Sequence, residues 1–343
     1  MRRVLVALVA LLVTFAIPQA GVRGADLVKV TVGTTGSQSD APLDIAIEKG
    51  FFRDQGLDVT LQTFDSAANM VSLIGTGQLD IAAGNVSPGL FNAVERGIDL
   101  KIVASKSTEP KGYGYSSLVV RKALWDAGKV RAIKDLRGLK IGVPSLKANL
   151  VEYAMEKGGL TLRDVQEVQL SFGDMLVGLS NGGVDAAMLA EPWVTRALAS
   201  GGAVRLMQGD EIAPNHMMTA IIYGGPFMKT KSDAARKFMV GYLKGVRYYS
   251  DVLNNGKISG GNADDVIAIL MKYTGIKDPS IYRTITPNGV DPNGAVNVES
   301  LRRDLQFYKT WGLVKSDVTV EQAVDSDYVN EAVKALGPYR RRG

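Results

Sequence analysis

One pattern is written twice in this chain. Residues 28–105 and residues 139–208 each run strand, helix, strand, helix, strand, helix, strand. The copies open on alternating apolar stretches, Val28-Lys29-Val30-Thr31-Val32-Gly33 and Leu139-Lys140-Ile141-Gly142-Val143, the period-2 mark of a strand. Each then carries a helix that stops at Glu48-Lys49-Gly50 or Glu156-Lys157-Gly158. Each later shows glycine, an aspartate and an apolar strand start: Gly77-Gln78-Leu79-Asp80-Ile81-Ala82 and Gly182-Gly183-Val184-Asp185-Ala186-Ala187. Strands alternating with helices imply mainly parallel sheets, with ligand sites beyond the carboxyl ends of the strands. Two such units in tandem predict an α/β protein of two similar lobes. The cleft between them is where a small molecule binds.

The stretch between the copies and the stretch after them decide how the lobes connect. Ser116–Arg121 reads as a strand and a first hinge crossing; Thr219–Tyr223 reads as a short apolar strand and a return crossing. Gly224-Gly225-Pro226 then breaks the chain. The expected organisation is a leader over 1–24, a first lobe over 25–112, a second over 113–222, and a mainly helical completion of the first over 223–343. Helices are expected at Asp233–Leu253, Ala263–Tyr273, Val298–Trp311 and Glu321–Leu336.

The leader is expected from Arg2 and Arg3 followed by Val4–Ile17, 14 residues of which only Thr14 is not apolar. Pro18 ends the run, and Ala20, Gly24 and Ala25 offer small residues for cleavage, as in a secretory signal. A spanning helix wants about 20 apolar residues. The chain has no cysteine, which excludes a disulfide, a lipid-attachment cysteine, a thiolate metal site and a cysteine nucleophile. Export without disulfides fits a bacterial periplasm or the cell exterior, and the periplasm is the expected location. Loss of Arg2, Arg3 and Arg23 with the leader leaves 37 basic against 35 acidic residues, a net charge of about +2. The remaining basic run, Arg340-Arg341-Arg342, is a tail without interleaved aromatics, so nucleic-acid binding is not expected. One histidine, His216, makes no metal cluster, and no nucleophile-elbow sequence accompanies it. No metal or cofactor is expected.

Four segments in order carry a resemblance. They are Ala46-Ile47-Glu48-Lys49-Gly50-Phe51-Phe52-Arg53-Asp54-Gln55-Gly56-Leu57-Asp58-Val59, Gly77-Gln78-Leu79-Asp80, Asp135-Leu136-Arg137-Gly138-Leu139-Lys140-Ile141-Gly142, and Val184-Asp185-Ala186 followed by Glu191-Pro192. Over residues 27–225 the chain resembles the periplasmic substrate-binding proteins of ABC importers, in their nitrate/sulfonate/taurine (NMT1/THI5-like) group. The resemblance implies a type II two-lobed binding fold that closes on a small polar or anionic organic solute. It further implies a monomer that hands the solute to a membrane permease and its ATPase. Two alternatives share the scaffold: an enzyme of pyrimidine or menaquinone precursor metabolism, and a sensor that presents its ligand to a receptor.

Candidate ligand residues lie where strands end and helices begin. Thr34–Asp40 is a glycine-containing turn before a helix N-terminus, which suits an anion or polar head group. Thr35, Gln38 and Ser39 are taken as ligand contacts there, and Asp40 as either a helix cap or a contact. Asn85 and Ser87 follow the third strand, where Ser87 either binds or caps the next helix. In the mirrored turn Pro144–Asn149, Ser145 and Asn149 are candidate donors, and Lys147 is either a cation for the ligand or solvated. Related anion binders often place small hydroxyl residues where Leu146-Lys147-Ala148 stands, a departure that argues against nitrate or a small sulfonate. Ala190 stands where some members carry a bulky aromatic, which implies a roomier pocket. Glu191 is either a ligand-facing acceptor or a structural acid, and Trp193 either stacks on the ligand or packs its helix. Tyr113, Tyr115 and His216 fall near the hinges, the histidine in an expected loop.

Overall fold

The computed structural model describes residues 27–64 and 67–341; the expected leader lies outside them. In the first copy, strands β1 (Val28–Thr34), β2 (Leu57–Thr63), β3 (Ile81–Asn85) and β4 (Leu100–Glu109) surround helices α1 (Ala41–Glu48), α2 (Ala68–Thr76) and α3 (Pro88–Glu95). Val30 and Val32 of β1 are fully buried and pair in parallel with Val59 and Leu61 of β2. The second copy begins after β5 (Ser116–Arg121). It comprises β6 (Lys140–Val143), α4 (Asn149–Glu156), β7 (Gln166–Gln169), α5 (Phe172–Asn181), β8 (Ala186–Ala190), α6 (Trp193–Ala199) and β9 (Ala203–Gln208). Strand β10 (His216–Gly224) follows.

Two five-stranded sheets result, with orders β2-β1-β3-β10-β4 and β7-β6-β8-β5-β9. In each, one strand enters antiparallel between the third and fourth strands of the copy: β10 lies between β3 and β4, and β5 between β8 and β9. Both inserted strands are the ones that cross between the copies, so each crossing is wired into the middle of a sheet. The fold is the two-lobed α/β arrangement that the duplicated pattern implies.

The repeated aspartate has a repeated job. Asp80 Oδ2 accepts from the Thr31 backbone N–H at 2.9 Å and meets Lys231 Nζ at 2.9 Å. Asp185 Oδ2 accepts from the Lys140 backbone N–H at 3.1 Å, and its Oδ1 accepts from Arg121 Nη2 at 2.9 Å. In both lobes the carboxylate ties the third strand's entry to the first strand, and a cation balances its charge.

The C-terminal residues are helical, as expected, with two departures. Helix α7 (Ser232–Val252) packs along α1. Gly245 permits the approach, because a Cβ there would stand 2.2 Å from the Pro42 carbonyl oxygen. Helix α8 (Val298–Thr310) does not stay with the first lobe: it touches α3 and β10 of the first sheet and α4 of the second. Its Leu301, Leu305, Phe307 and Tyr308 join an apolar cluster that runs continuously from Met70 and Leu90 to Leu118 and Val151. The expected helix over Glu321–Leu336 is broken into a short turn at Val320–Ala323 and α9 (Asp327–Leu336). Val324 bridges the edge of β4 at Ile102, and the Asp325 N–H donates to the Ile102 carbonyl at 3.0 Å, which pulls the backbone out of helix.

Candidate functional site

The carboxyl ends of both sheets face one cavity of about 540 Å³. The first sheet lines it with Thr35, Ser37 and Ser39 after β1, with Asn85 at the end of β3 and with Ser87 just beyond it. The second lines it with the turn Pro144–Leu150 after β6, with Phe172 at the start of α5, and with Met188, Leu189 and Ala190 at the end of β8. The crossing strands make the hinge side through Tyr115, Ser116, His216, Met218 and Thr219. No aspartate or glutamate is among the lining residues; Lys147 and His216 are the basic ones.

The first turn is built on a buried ion pair. Its Ser37 and Ser39 hydroxyls lie 2.8 Å apart, and Thr35 Oγ1 donates to Ser37 Oγ at 3.2 Å. Beneath them Asp40 Oδ2 accepts from the Ser37 backbone N–H at 2.8 Å, while Asp40 Oδ1 pairs with Lys106 Nζ. Lys106 is 0% exposed and its ammonium also donates to the Ala83 carbonyl at 3.3 Å. Asp40 therefore neither caps α1 with its side chain nor reaches the cavity; it locks the turn from below. Its neighbour Asp44 is buried one helical turn on. Burial first, and then the Asp40 charge, push the Asp44 carboxyl up to about 8 despite the opposing pull of Lys106.

Register sets the hinge side. Thr219 of β10 stands opposite Asn85 of β3 and Ser107 of β4, and the Ser107 and Thr219 hydroxyls are 2.7 Å apart and buried. Ser105-Lys106-Ser107-Thr108-Glu109 is a wholly buried polar end to an apolar strand. Burial pushes the Glu109 carboxyl up to about 7, although the Ser116 N–H donates to it at 2.7 Å and favours its charged form.

His216 is not in a solvated loop, as its sequence setting suggests. It opens β10 and is 7% exposed. Its Nε2 lies 3.1 Å from Asp304 on α8. Asp304 Oδ1 also accepts from Asn149 Nδ2 at 2.8 Å and from the Tyr153 hydroxyl at 2.7 Å. One buried carboxylate thus gathers three donors, two from α4 of the second lobe and one from the return crossing. Burial alone disfavours the imidazolium, but the hydrogen bond to Asp304 and the charges of Asp304 and Glu109 outweigh it, so the His216 pKa lies above its ordinary value.

Of the ten residues singled out from sequence, seven line the cavity: Thr35, Ser39, Asn85, Ser87, Ser145, Lys147 and Asn149. Three stand off its wall. Gln38 is buried behind the turn beside Tyr249. Glu191 is 3% exposed, and its Oε2 accepts from the Thr195 N–H at 3.0 Å, so it serves the start of α6. Trp193 stacks on Phe172 with ring centres 6.4 Å apart, and Phe172 forms the wall. In the mirrored turn Lys147 adopts a left-handed φ of 54°, and its ammonium donates to the Trp311 carbonyl at 3.2 Å. The backbone N–H groups of Lys147 and Ala148 already donate to Glu167, at 3.0 and 3.4 Å. Two donors that an anion would want in that turn are therefore occupied.

Sequence reasoning missed Ser37, Ser107, Ser116, Phe172, Met218 and Thr219 as wall residues. The inserted strands explain half of them: once β5 and β10 sit inside the sheets, their first residues must face the cleft. Among the described residues no helix is long and apolar enough to cross a membrane. None of them forms a cluster of three or more His, Cys, Asp or Glu suited to a metal ion.

Comparison with known proteins agrees with this architecture. Residues 23–260 match the model of the NMT1-like family. A putative binding protein of Brucella abortus is 30% identical over 152 residues, 44% of this chain and 44% of the relative, so the chain matches less than half of that relative's length. A putative aliphatic sulfonates-binding protein of Bacillus subtilis is 25% identical over 97% of this chain and 98% of its own. Among solved structures, the nitrate-binding protein NrtA of Synechocystis superposes with a TM-score of 0.72 at 14% identity, covering 91% of this chain and 89% of that one. The aliphatic sulphonate-binding protein SsuA of Escherichia coli gives 0.67 at 19%, covering 87% and 92%. The desulfurization enzyme DSZB gives 0.64 at 16%, covering 90% and 100%.

Proposed function

The chain belongs to the NMT1-like family, and from that premise we propose that it is an extracytoplasmic solute receptor of an ABC importer. It holds a small polar or anionic organic solute between its two lobes and delivers it unchanged to a membrane permease. The observation that carries this reading is the cavity itself. It lies at the carboxyl ends of two sheets, is lined mainly by hydroxyl, amide and apolar groups with Lys147 and His216 as its basic residues, and is free of carboxylates. Such a wall holds a solute by hydrogen bonds and burial and brings no carboxylate to it as a general base.

Low-micromolar binding requires about −8 kcal/mol. A few charge-assisted hydrogen bonds at about 1.5–3 kcal/mol each, with burial of the solute's apolar surface, supply that and offset the ordering cost of closure. The seven cavity residues foreseen from sequence are the contacts this reading assigns, with Asn85 and Thr35 foremost because nothing in the fold occupies their side chains fully.

An enzyme on the same scaffold is the second reading, favoured by the fold likeness to DSZB. The chain has no cysteine and a single histidine, and that histidine is engaged with Asp304. The test is a thermal-shift screen of sulfonates, nitrate, pyrimidines and aromatic carboxylates, followed by mass spectrometry of each hit after incubation. The receptor reading expects one solute class to raise Tm and to be recovered intact. Product formation would overturn it.

A further inference from the structure

Helix α8 runs beside the cavity and is tied to both lobes. Its Tyr308 lines the cavity, as does Leu313 just beyond its end. On the first-lobe side the Tyr308 hydroxyl donates to the Val86 carbonyl at 3.1 Å, and Asn92 Nδ2 of α3 donates to the Leu313 carbonyl at 3.0 Å. The Met217 N–H of β10 donates to Ser300 Oγ at 3.0 Å. The chain also enters and leaves the helix on the first sheet. Before it, the Ser105 N–H of β4 donates to the Gly294 carbonyl at 2.9 Å; after it, the Asp325 N–H donates to the Ile102 carbonyl at 3.0 Å. On the second-lobe side the partners come from α4 and the turn before it. Asn149 and Tyr153 donate to Asp304 Oδ1, and Arg303 Nη2 donates to Glu156 Oε2 at 2.6 Å. The Arg303 guanidinium lies 3.7 Å from the centre of the Tyr153 ring, and Lys147 Nζ reaches the Trp311 carbonyl.

Lobes that swing apart about their crossings cannot keep both sets of ties. The first-lobe set is anchored at both ends of the helix, so the second-lobe set is the one that parts. Arg303 and Glu156 are about half exposed and exchange each other for water at little cost. Asp304 is 2% exposed, and a buried carboxylate stripped of every partner would oppose opening strongly. It is not stripped. His216 belongs to β10 of the first sheet, and its Nε2 stays 3.1 Å from Asp304 if the two move together. Asp304 then trades only the Asn149 and Tyr153 donors for water. We propose that α8 is a strap carried by the first lobe, and that its Asp304 and Arg303 latch α4 of the second lobe and set how readily the cleft opens. The inference rests on the solute-receptor reading, in which opening admits and releases the solute. A latch biases a two-state equilibrium, so weakening it shifts the ratio of open to closed chains with no solute present.

The test is pulsed dipolar spectroscopy on the mature, solute-free chain. The chain has no cysteine, so Arg53→Cys in the first lobe and Lys129→Cys in the second, both exposed, take spin labels at those two sites alone. The parent should show mainly the short interlobe distance. Tyr153→Phe with Arg303→Ala should raise the ratio of long to short distances about ten-fold, with Tm within a few degrees of the parent. Arg303→Lys in place of Arg303→Ala, which keeps a cation for Glu156, should give a smaller shift. Arg302→Ala is the control: it lies on the same helix but pairs with Glu299 and Glu321, and it should leave the distances unchanged. Should the double variant unfold, Arg303→Ala alone should still raise the ratio about three-fold. Unchanged distances in the latch variants, a parent already mainly at the long distance, or an equal shift from Arg302→Ala overturns the inference and leaves the receptor reading standing. A thermal-shift screen that finds no solute overturns the receptor reading, while the distances still judge the strap.

Discussion

Removing Lys106 tests the claim that a buried ion pair holds the first ligand turn. Lys106 is fully buried, and Asp40 is 2% exposed. With Lys106→Met the Asp40 carboxylate keeps only the Ser37 N–H, and no cation remains beside Asp40 and Asp44. Breaking a buried pair from one side costs about 3–5 kcal/mol, because the surviving charge is left without compensation. At about 2–4 °C per kcal/mol for a chain of this order of size, Tm should fall by about 6–20 °C. The double variant Lys106→Met with Asp40→Asn removes both charges, and the amide oxygen of the new side chain still accepts from the Ser37 N–H. It should recover at least half of the loss. Scanning calorimetry at pH 7 on the single and double variants closes the cycle. A single variant within 2 °C of the parent, or a double variant no better than Lys106→Met, would refute the reasoning.

Further outcomes follow from the same geometry. Asp44 is protonated in the fold up to about pH 8 but ionises near its ordinary value of about 3.9 when unfolded. The folded state therefore holds an extra proton between about pH 4 and pH 8, and stability falls as pH rises through that window. Asp44→Asn should flatten that fall and raise Tm at pH 8, and an unchanged pH profile of Tm would contradict it. Gly245→Ala should destabilise by about 1–3 kcal/mol through overpacking against the Pro42 carbonyl, read as a lower denaturant midpoint at constant m. Asn85→Ala should weaken solute binding about ten-fold or more, with Tm unchanged, as charge-assisted bonds of about 1.5–3 kcal/mol imply. Unaltered affinity would remove Asn85 from the site.

Much of the fold was legible because its signals are local. Alternating valines in β1, glycines at the turns and the two Asp-led strand starts repeat in order, and Ser116–Arg121 is a strand with the bounds read from sequence. The return crossing was placed by its apolar core but begins earlier, at His216, because β4 alone already pairs with its first residues, His216 opposite Glu109 and Met217 opposite Thr108. The broken C-terminal helix was not legible: its amphipathic pattern continues through Val324, and the bridge to Ile102 joins residues 222 positions apart in the chain. The turns of the site were legible as strand–turn–helix sequences. Their electrostatics were not. Asp40 looks like a cap until β4 delivers Lys106 beneath it, and of the two roles open to Glu191, ligand acceptor or acid at a helix start, it takes the second because α6 claims it. Asp304 sits on a helix that sequence pattern assigns to the first lobe, yet it binds Asn149 and Tyr153 of the second.

The central claim is that a solute occupies the gap between the two sheets. Ala190 lines that gap with a methyl group at the end of β8, so Ala190→Trp narrows it without replacing a polar side chain. Native mass spectrometry of both proteins after equilibration with the best solute from the screen reads occupancy directly. The account predicts one intact solute per chain for the parent and a clearly lower occupancy for Ala190→Trp at equal concentration, with both proteins folded. A solute retained at the same occupancy by the Trp variant would place binding elsewhere and contradict it.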